Sequence, residues 1–353
     1  MTRIVHVVRS DGFAGVERFV ARLALEQSRQ AHPVAVIGGD PTRMRHVLGR
    51  DIPQTPATSV LDTVRAVRAA LVVAEPPEVL HVHMTAAEVS ATLALAARRH
   101  GRGPGPAVVA TCHFASARGS GSGLAAPVVS AVAGRRIDAQ IAVSGFVAAS
   151  VGGRTPTQVV HTGVPNRDLP ARPRDRVALV AQRLEPEKHT DDALRIFARS
   201  QVVQRGWRLT VAGDGSLRGR LLGLAAELDI SHAVDIVGHR ADIDALMDRA
   251  GILLAPTRRE GLGLAVLEAM AGGLPVLAAG SGGHLETVGS VPGAQLYADF
   301  TDAATRLRAM TDDEPGRAAY GADLQRAQRE RFTIQRQVAQ TEAVYRRVLE
   351  ARR

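Results

Sequence analysis

Cysteine is nearly absent from this chain of 353 residues, which contains Cys112 alone. A single cysteine cannot form an intramolecular disulfide and cannot supply a multi-cysteine zinc site. This composition is typical of proteins that fold in a reducing compartment. No apolar run approaches the roughly 18 residues that cross a bilayer, and residues 1–8 are too short and too charged for a signal sequence. We therefore expect a cytoplasmic protein.

Aromatic residues are also scarce, at 3% of the chain, and Trp207 is the only tryptophan. Proteins that bind single-stranded nucleic acid usually stack bases on aromatic side chains. The composition therefore argues against a nucleic-acid partner.

Lysine occurs once, as Lys188, among 44 basic residues. The net charge of +9 favours an anionic partner such as a phosphorylated substrate or a phospholipid surface. Residues 1–170 carry 18 basic and 11 acidic residues, a net charge of +7, whereas residues 171–353 carry 26 and 24, a net charge of +2. The basic first half could receive an acidic or lipid-linked acceptor, or touch the inner membrane face; a secondary metabolite is a further candidate for the acceptor. A bias of genome composition toward arginine explains the same excess, and both explanations remain open.

Short apolar runs rich in β-branched residues alternate with longer helical patterns, which predicts parallel sheets. The predicted strands are 4–8, 33–37, 79–83, 107–111, 139–144, 177–181, 207–213, 233–238, 251–256 and 274–279. The alternation restarts after a segment rich in proline and arginine, 165–176, so we expect an α/β protein with two doubly wound domains in tandem. The predicted domains are 1–168 and 169–335, with one long helix from about 329 to 353 whose end, 336–353, packs on the first domain.

In open parallel sheets, ligands bind outside the carboxyl ends of the strands. The first loop in such a place is RSDGFAGVER, residues 9–18, where Gly12 and Gly15 precede a helix that begins at Val16. A helix amino terminus can bind a phosphate through its free N–H groups. A plain turn between strand and helix explains the loop equally well.

The loops of the second half carry more chemistry. RLEPEKH at 183–189, GDGSL at 213–217 and GHRAD at 238–242 each follow a predicted strand. The segment TRREGLGLAVLEAMAGG at 257–273 places Glu260 in a loop and Glu268 two turns into a predicted helix. The apolar neighbours of Glu268 indicate a buried carboxylate, which is usually paired or hydrogen-bonded.

The block EGLGLAVLEAMAGGLPVLAAGSGGHLE at 260–286, with RLEPEK upstream, resembles the retaining nucleotide-sugar glycosyltransferases of family four. The likeness covers most of the second half; the first half contributes the glycine loop, TCH at 111–113 and HTGVP at 161–165. This resemblance implies the GT-B fold, in which two Rossmann-like domains face a central cleft. It also implies hexosyl transfer from a nucleoside diphosphate sugar to an acceptor hydroxyl with retention of configuration, in carbohydrate biosynthesis.

The resemblance assigns roles to individual residues. Arg183 and Lys188 would hold the donor diphosphate, Glu268 the ribose hydroxyls and Glu260 the donor sugar. His113 would face that sugar from the first domain, although a histidine bonded to backbone at a strand end is nearly as good an explanation. The predicted catalytic set is therefore His113, Arg183, Lys188 and Glu260. The other residues expected to contact the donor are Gly15, Gly213, Gly238, His239, Gly261, Gly263 and Leu264.

The donor is expected to be a UDP-sugar rather than a GDP-sugar, without a cofactor or metal. The sequence DID at 242–244 spells the metal-binding D-x-D of another glycosyltransferase fold, but its position favours helix capping. Ala14 stands where many family members have a glycine paired with Gly15. A flexible lysine beside a planar arginine suits a pyrophosphate, because the two cations differ in shape.

Two rival functions remain. One is a GT-B epimerase or hydrolase of nucleotide sugars, which needs no acceptor. The other is a non-enzymatic module that binds polyanions or membranes through the basic first half. In the transferase itself, the loop 116–123 and the apolar segment 124–134 of that half would instead help to attract an acidic or membrane-associated acceptor. Glu260 and Glu268 argue against the second rival, because carboxylates weaken polyanion binding.

Overall fold

The computed structural model describes residues 1–96, 105–115, 134–152 and 155–353. The chain forms two compact units, Met1–Thr162 with Ile334–Arg353, and Gly163–Thr333. The chain passes from the first unit to the second after Thr162, six residues before the predicted boundary at 168. Val164 belongs to the second unit because it forms a parallel bridge with Thr333 there. The predicted loop 116–123 and all but the last residue of 124–134 lie outside the described residues.

The first unit contains a seven-stranded parallel sheet in the order β3-β2-β1-β4-β5-β6-β7. Its strands are β1 Ile4–Val8, β2 Val34–Ile37, β3 Gln54–Thr55, β4 Val79–His83, β5 Ala107–Cys112, β6 Ala139–Ala142 and β7 Thr157–Val159. Its helices are α1 Gly15–Arg29, α2 Pro41–Leu48, α3 Val60–Ala70, α4 Thr85–Ala96, α5 Gly145–Ser150 and, at the carboxyl end of the chain, α12 Ile334–Ala351.

The two faces of this sheet differ in chemistry because side chains alternate along each strand. Val5 and Val7 of β1 and Leu80 of β4 lie in an apolar core with residues of α3 and α4. The opposite face, under α1 and α12, carries His6 and its register partner His81. The sheet is therefore apolar on one side and carries imidazoles among apolar side chains such as Ile4 and Val8 on the other.

The second unit contains a six-stranded parallel sheet in the order β10-β9-β8-β11-β12-β13. Its strands are β8 Val177–Ala181, β9 Arg208–Ala212, β10 Val234–Gly238, β11 Ile252–Ala255, β12 Val276–Ala279 and β13 Leu296–Tyr297. Its helices are α6 Thr190–Ser200, α7 Arg218–Glu227, α8 Ile243–Arg249, α9 Leu264–Ala271, α10 Phe300–Asp312 and α11 Glu314–Arg331. The two parallel sheets confirm the predicted α/β class of two Rossmann-like domains.

The long helix predicted from about 329 to 353 is present as α12, but it begins only at Ile334. The structure has two helices, α11 and α12, separated by Phe332 and Thr333. Thr333 leaves the helical path because it bridges to Val164, and Phe332 is fully buried. The sequence analysis also missed β3, β7 and β13, edge strands of only two or three residues. Within the described part of the chain, no helix is both long and apolar enough to cross a membrane.

Candidate functional site

The strand order of the second unit reverses between β8 and β11, which lie side by side. In doubly wound sheets this reversal opens a crevice at the carboxyl ends of the strands, and ligands bind there. The loops that leave β8 and β11 carry RLEPEKH and TRREGLG, the two segments that the sequence analysis singled out. The topology therefore brings them to one place.

An ion pair joins these loops. Lys188 Nζ donates a hydrogen bond to Glu260 Oε2 at 2.7 Å, across 72 residues of sequence. The side chains are only 16% and 19% exposed. Burial by itself would raise the pKa of Glu260, but the nearby Lys188 ammonium and the Gly261 N–H outweigh it, so the pKa lies below its ordinary value. The carboxylate is thus ionised at neutral pH, and Lys188 keeps further N–H donors for a ligand.

The backbone of Lys188 is fixed by the half-buried side-chain amide of Gln182. Gln182 Nε2 donates to the Lys188 carbonyl oxygen at 2.8 Å and to Thr190 Oγ1 at 2.9 Å. Gln182 Oε1 accepts in turn from Thr257 Oγ1 at 2.9 Å, so one side chain ties the loop after β8 to the loop after β11. The lysine ends a short 3-10 turn, Pro186–Lys188, before α6 begins. Its position is therefore set before any ligand binds.

A third loop, which follows β12, holds the backbone of Glu260 in place. Gly283 N–H donates to the Glu260 carbonyl oxygen at 2.9 Å. A Cβ at Gly283 would lie 2.4 Å from the Gly261 carbonyl oxygen, so only glycine allows this contact. The next residue, His284, is buried, and its Nδ1 donates to the Ala279 carbonyl oxygen at 3.1 Å. Burial lowers the pKa of His284 despite the charge of Glu260, which leaves a neutral imidazole beside the ion pair.

The other predicted donor residues of the second unit lie at several distinct positions. Arg183 is half exposed and donates to Glu187 at 2.8 Å, so its ion pair is on the surface while that of Lys188 is largely buried. Gly213 directly follows β9 and is closely packed. A Cβ at this position would lie 1.8 Å from the Gln182 carbonyl oxygen. Gly238 ends β10 and accepts from Gly213 N–H at 2.8 Å, and His239 beside it is exposed.

Gly263 precedes α9 with φ of 93°, a backbone conformation that favours glycine, and Leu264 begins the helix. Glu268 is buried, with 4% of its surface exposed. The sequence analysis placed it two turns into the helix, which is wrong. Only four helical residues precede it, a rise of about 6 Å at 1.5 Å per residue.

The predicted capping by the D-x-D sequence is also wrong. Asp242 stands before α8 but makes no side-chain capping bond. Its carboxylate pairs with Arg240 at 2.6 Å, and Asp244 pairs with Arg167 at 3.2 Å. The two aspartates are engaged by separate arginines, which neutralise them individually.

In the first unit, the helix after the glycine loop begins at Gly15 and not at Val16, and Glu17 accepts a hydrogen bond from the Ala14 N–H at 2.8 Å. A Cβ at Gly15 would meet nothing within 4 Å, so the fold itself does not require glycine there. His113 follows β5, and its Nε2 lies 3.2 Å from His83 Nδ1. Its partner is thus a side chain and not the backbone.

Sequence reasoning missed Gln182, Thr257 and His284. Gln182 and Thr257 each follow a predicted strand within two residues, a position that could have marked them. His284 lies inside the quoted block 260–286, directly after two glycines.

Comparisons with known proteins match both halves of the chain. A model described as "Glycosyltransferase Family 4" matches residues 13–167, and one described as "Glycosyl transferases group 1" matches residues 166–322. The glycogen synthase of Mycobacterium tuberculosis is 34% identical over 168 residues, which cover 46% of this chain and 40% of that protein. The chain therefore aligns with less than half the length of this curated relative.

Solved structures match the whole fold. HepE of Anabaena, crystallised with UDP and glucose and also with UDP-glucose, has a TM-score of 0.80 at 19% identity, and the match covers 98% of this chain and 99% of HepE. Sucrose-phosphate synthase of Thermosynechococcus elongatus has a TM-score of 0.79 at 16% identity over 99% of this chain and all of that one. At these identities the likeness establishes the fold.

Proposed function

The chain belongs to the family-four glycosyltransferases of GT-B fold, and from that premise we propose that it transfers a sugar from a nucleoside diphosphate sugar to an acceptor hydroxyl with retention of configuration. The observation that carries this proposal is the largely buried Lys188–Glu260 pair at the reversal of strand order. A cation fixed there suits the anionic leaving group of such a donor.

The charges of the pair suit a diphosphate. Glu260 accepts one N–H of Lys188, and the remaining N–H groups can donate to phosphate oxygens. Arg183, whose surface pair with Glu187 is weak, can exchange that partner for a phosphate. Two protein cations stabilise the negative charge that develops as the sugar leaves, so we propose that transfer needs no metal ion.

The two glutamates take different parts of the donor in this proposal. Glu260 lies in the loop beside Lys188, where its charge stabilises the positive charge that develops on the sugar ring. Glu268 lies one helical turn further on, buried, and receives the ribose hydroxyls. For the first unit, we propose that His113 contacts a hydroxyl group of a substrate.

We propose a UDP-sugar as the donor, since HepE was crystallised with UDP-glucose. The acceptor is proposed to be acidic, because residues 1–170 carry a net charge of +7.

A thermal-shift panel with the diphosphates of uridine, guanosine, adenosine, cytidine and thymidine tests the donor site. At about 100 times its Kd, a ligand adds roughly 2.7 kcal/mol to the free energy of unfolding. In a unit of this size that raises Tm by roughly 5 to 10 °C. Lys188→Ala should weaken binding of the active nucleotide roughly 10 to 150-fold, the effect of one charge-assisted hydrogen bond.

Arg205→Ala is the matched control, because Arg205 also forms an ion pair, with Asp312 at 2.7 Å, but precedes β9 and so lies at the amino ends of the strands, opposite the site. If no diphosphate shifts Tm, or if both variants weaken binding equally, the donor site is not where we place it. Turnover of UDP-glucose with and without added acceptors then separates the activities. Consumption that no acceptor accelerates would indicate the hydrolase or epimerase instead.

A further inference from the structure

A row of hydrogen-bonded imidazoles lies on one face of the first sheet. Only its last member, His113, has a role in the proposed reaction. His6 of β1 and His83 of β4 are fully buried, and His113 follows β5. Gln27, also fully buried, faces them from α1. We call the row Gln27, His6, His83 and His113 the imidazole relay.

The contacts of the relay run in one line. Gln27 Oε1 lies 2.7 Å from His6 Nε2. His6 Nδ1 lies 3.1 Å from His83 Nε2, and His83 Nδ1 lies 3.2 Å from His113 Nε2. Both ring nitrogens of His6 and of His83 are therefore engaged, and each nitrogen meets one neighbour of the relay.

The rings of the relay are neutral at physiological pH. Burial lowers the pKa of His6 to about 4, although Gln27 opposes the shift, and loss of surrounding water lowers the pKa of His113 to about 3. Burial also lowers the pKa of His83 well below its ordinary value. A neutral imidazole has one N–H donor and one acceptor nitrogen, so each link has a direction.

The amide oxygen of Gln27 sets that direction, because an amide oxygen can only accept. His6 therefore carries its hydrogen on Nε2 and accepts on Nδ1 from His83 Nε2–H. His83 in turn accepts on Nδ1 from His113 Nε2–H. The last ring is left with its hydrogen on Nε2 and an acceptor lone pair on Nδ1.

We propose that Gln27, His6 and His83 are positioning residues that hold His113 in the tautomer with hydrogen on Nε2, so that His113 Nδ1 accepts a hydrogen bond from a substrate hydroxyl. This inference rests on the proposed function only for the identity of the hydroxyl. The tautomer itself follows from the relay together with the orientation of the Gln27 amide, which turns its oxygen toward His6 and leaves its nitrogen buried without a hydrogen-bond partner among the described residues.

A neighbouring histidine stands outside the relay. His81 bonds to Tyr345 OH and, at 2.6 Å, to Thr111 Oγ1. Ligand atoms of His6, His81 and His83 lie within 4.8 Å of one another, close enough to hold a metal ion. A metal ion bound by His6 and His83 would replace the hydrogen in the bond from His83 Nε2 to His6 Nδ1. The protein can therefore hold either the metal ion or the relay, but not both.

Nitrogen-15 NMR of the full-length protein tests the tautomer directly, because the chemical shift separates protonated from unprotonated ring nitrogens. The chain has 12 histidines, and loss of signals in His113→Gln identifies those of His113. Wild type should show hydrogen on Nε2 and none on Nδ1. Gln27→Met keeps the volume but removes the acceptor, and should produce a mixture of both His113 tautomers.

Thr111→Val is the matched control, because it removes a buried hydrogen bond from His81 and leaves the relay intact. It should keep the wild-type tautomer of His113. Hydrogen on His113 Nδ1 in the wild-type protein would overturn the proposal, whatever the variants do. Elemental analysis that finds one zinc per chain, lost in His6→Leu, would overturn it as well.

Kinetics add a separate readout. If the substrate hydroxyl is bonded as proposed, Gln27→Met should lower kcat/KM about 2 to 12-fold, the effect of one misdirected hydrogen bond, and Thr111→Val should not. The correct tautomer in a protein that transfers no sugar would refute the proposed function alone. Sugar transfer with hydrogen on His113 Nδ1 would refute the relay alone.

Discussion

The largely buried Lys188–Glu260 pair should contribute measurably to the stability of the second unit. Glu260→Gln keeps the shape of the side chain but leaves the Lys188 ammonium without its counter-charge. Removing one partner of a fully buried pair costs about 3 to 5 kcal/mol. Because both side chains keep between a sixth and a fifth of their surface in contact with water, we expect about 2 kcal/mol here. That loss lowers Tm by roughly 4 to 8 °C.

The cost should depend on pH with a definite sign. The pKa of Glu260 is lower in the folded protein than its ordinary value of 4.5. Its stabilisation is therefore fully present above that ordinary value and is lost as the pH falls through the folded pKa. The difference in unfolding free energy between wild type and Glu260→Gln should be constant from neutral pH down to about 5 and should shrink in more acidic buffers.

Urea denaturation of both proteins over that pH range, followed by circular dichroism, measures the difference. Glu187→Gln is the control, because Arg183 and Glu187 form an ion pair of nearly the same length, 2.8 Å, with more than half of each side chain exposed. That substitution should cost under about 1 kcal/mol. A double-mutant cycle with Lys188→Met isolates the pair. A coupling energy as small as that of the control, or a Glu260→Gln penalty that grows as the pH falls, would refute this reasoning.

Four kinetic outcomes follow from the proposed site. Lys188→Ala should slow transfer roughly 10 to 150-fold. Lys188→Arg should also lose activity, because the backbone of Lys188 is fixed and a guanidinium group is bulkier than an ammonium group. Wild-type turnover in either variant would contradict the role of this lysine. Glu268→Gln should mainly raise the donor KM and Glu260→Gln mainly lower kcat in steady-state assays, and the reverse pattern would mean that the donor lies the other way round. Transfer should be equally fast with and without excess EDTA; inhibition that added Mg²⁺ reverses would show a metal requirement. Transfer to an acidic acceptor should slow at high ionic strength, and a salt-independent rate would remove electrostatic attraction from the account.

The architecture was largely predictable because the strands and helices follow from local patterns of apolar residues in the sequence. The runs at 4–8 and 177–181 form β1 and β8 with the expected bounds, since buried parallel strands need continuous apolar residues. The break between α11 and α12 was not predictable, because the bridge from Thr333 to Val164 joins residues far apart in sequence. The short strands β3, β7 and β13 were missed because two or three residues carry no periodicity.

By itself, the sequence determined two tandem α/β domains and placed the single lysine in a loop after a strand, with Glu260 in another. Only the tertiary structure paired them, because the order of the strands sets β11 beside β8 and so joins residues 72 positions apart. The same holds for His6, His83 and His113. Each occupies an unremarkable place in an apolar strand or at its end, and the hydrogen bonds that unite them with Gln27 exist only where three parallel strands and α1 meet. A local pattern decides the secondary structure, whereas a hydrogen bond between distant residues depends on the path of the whole chain.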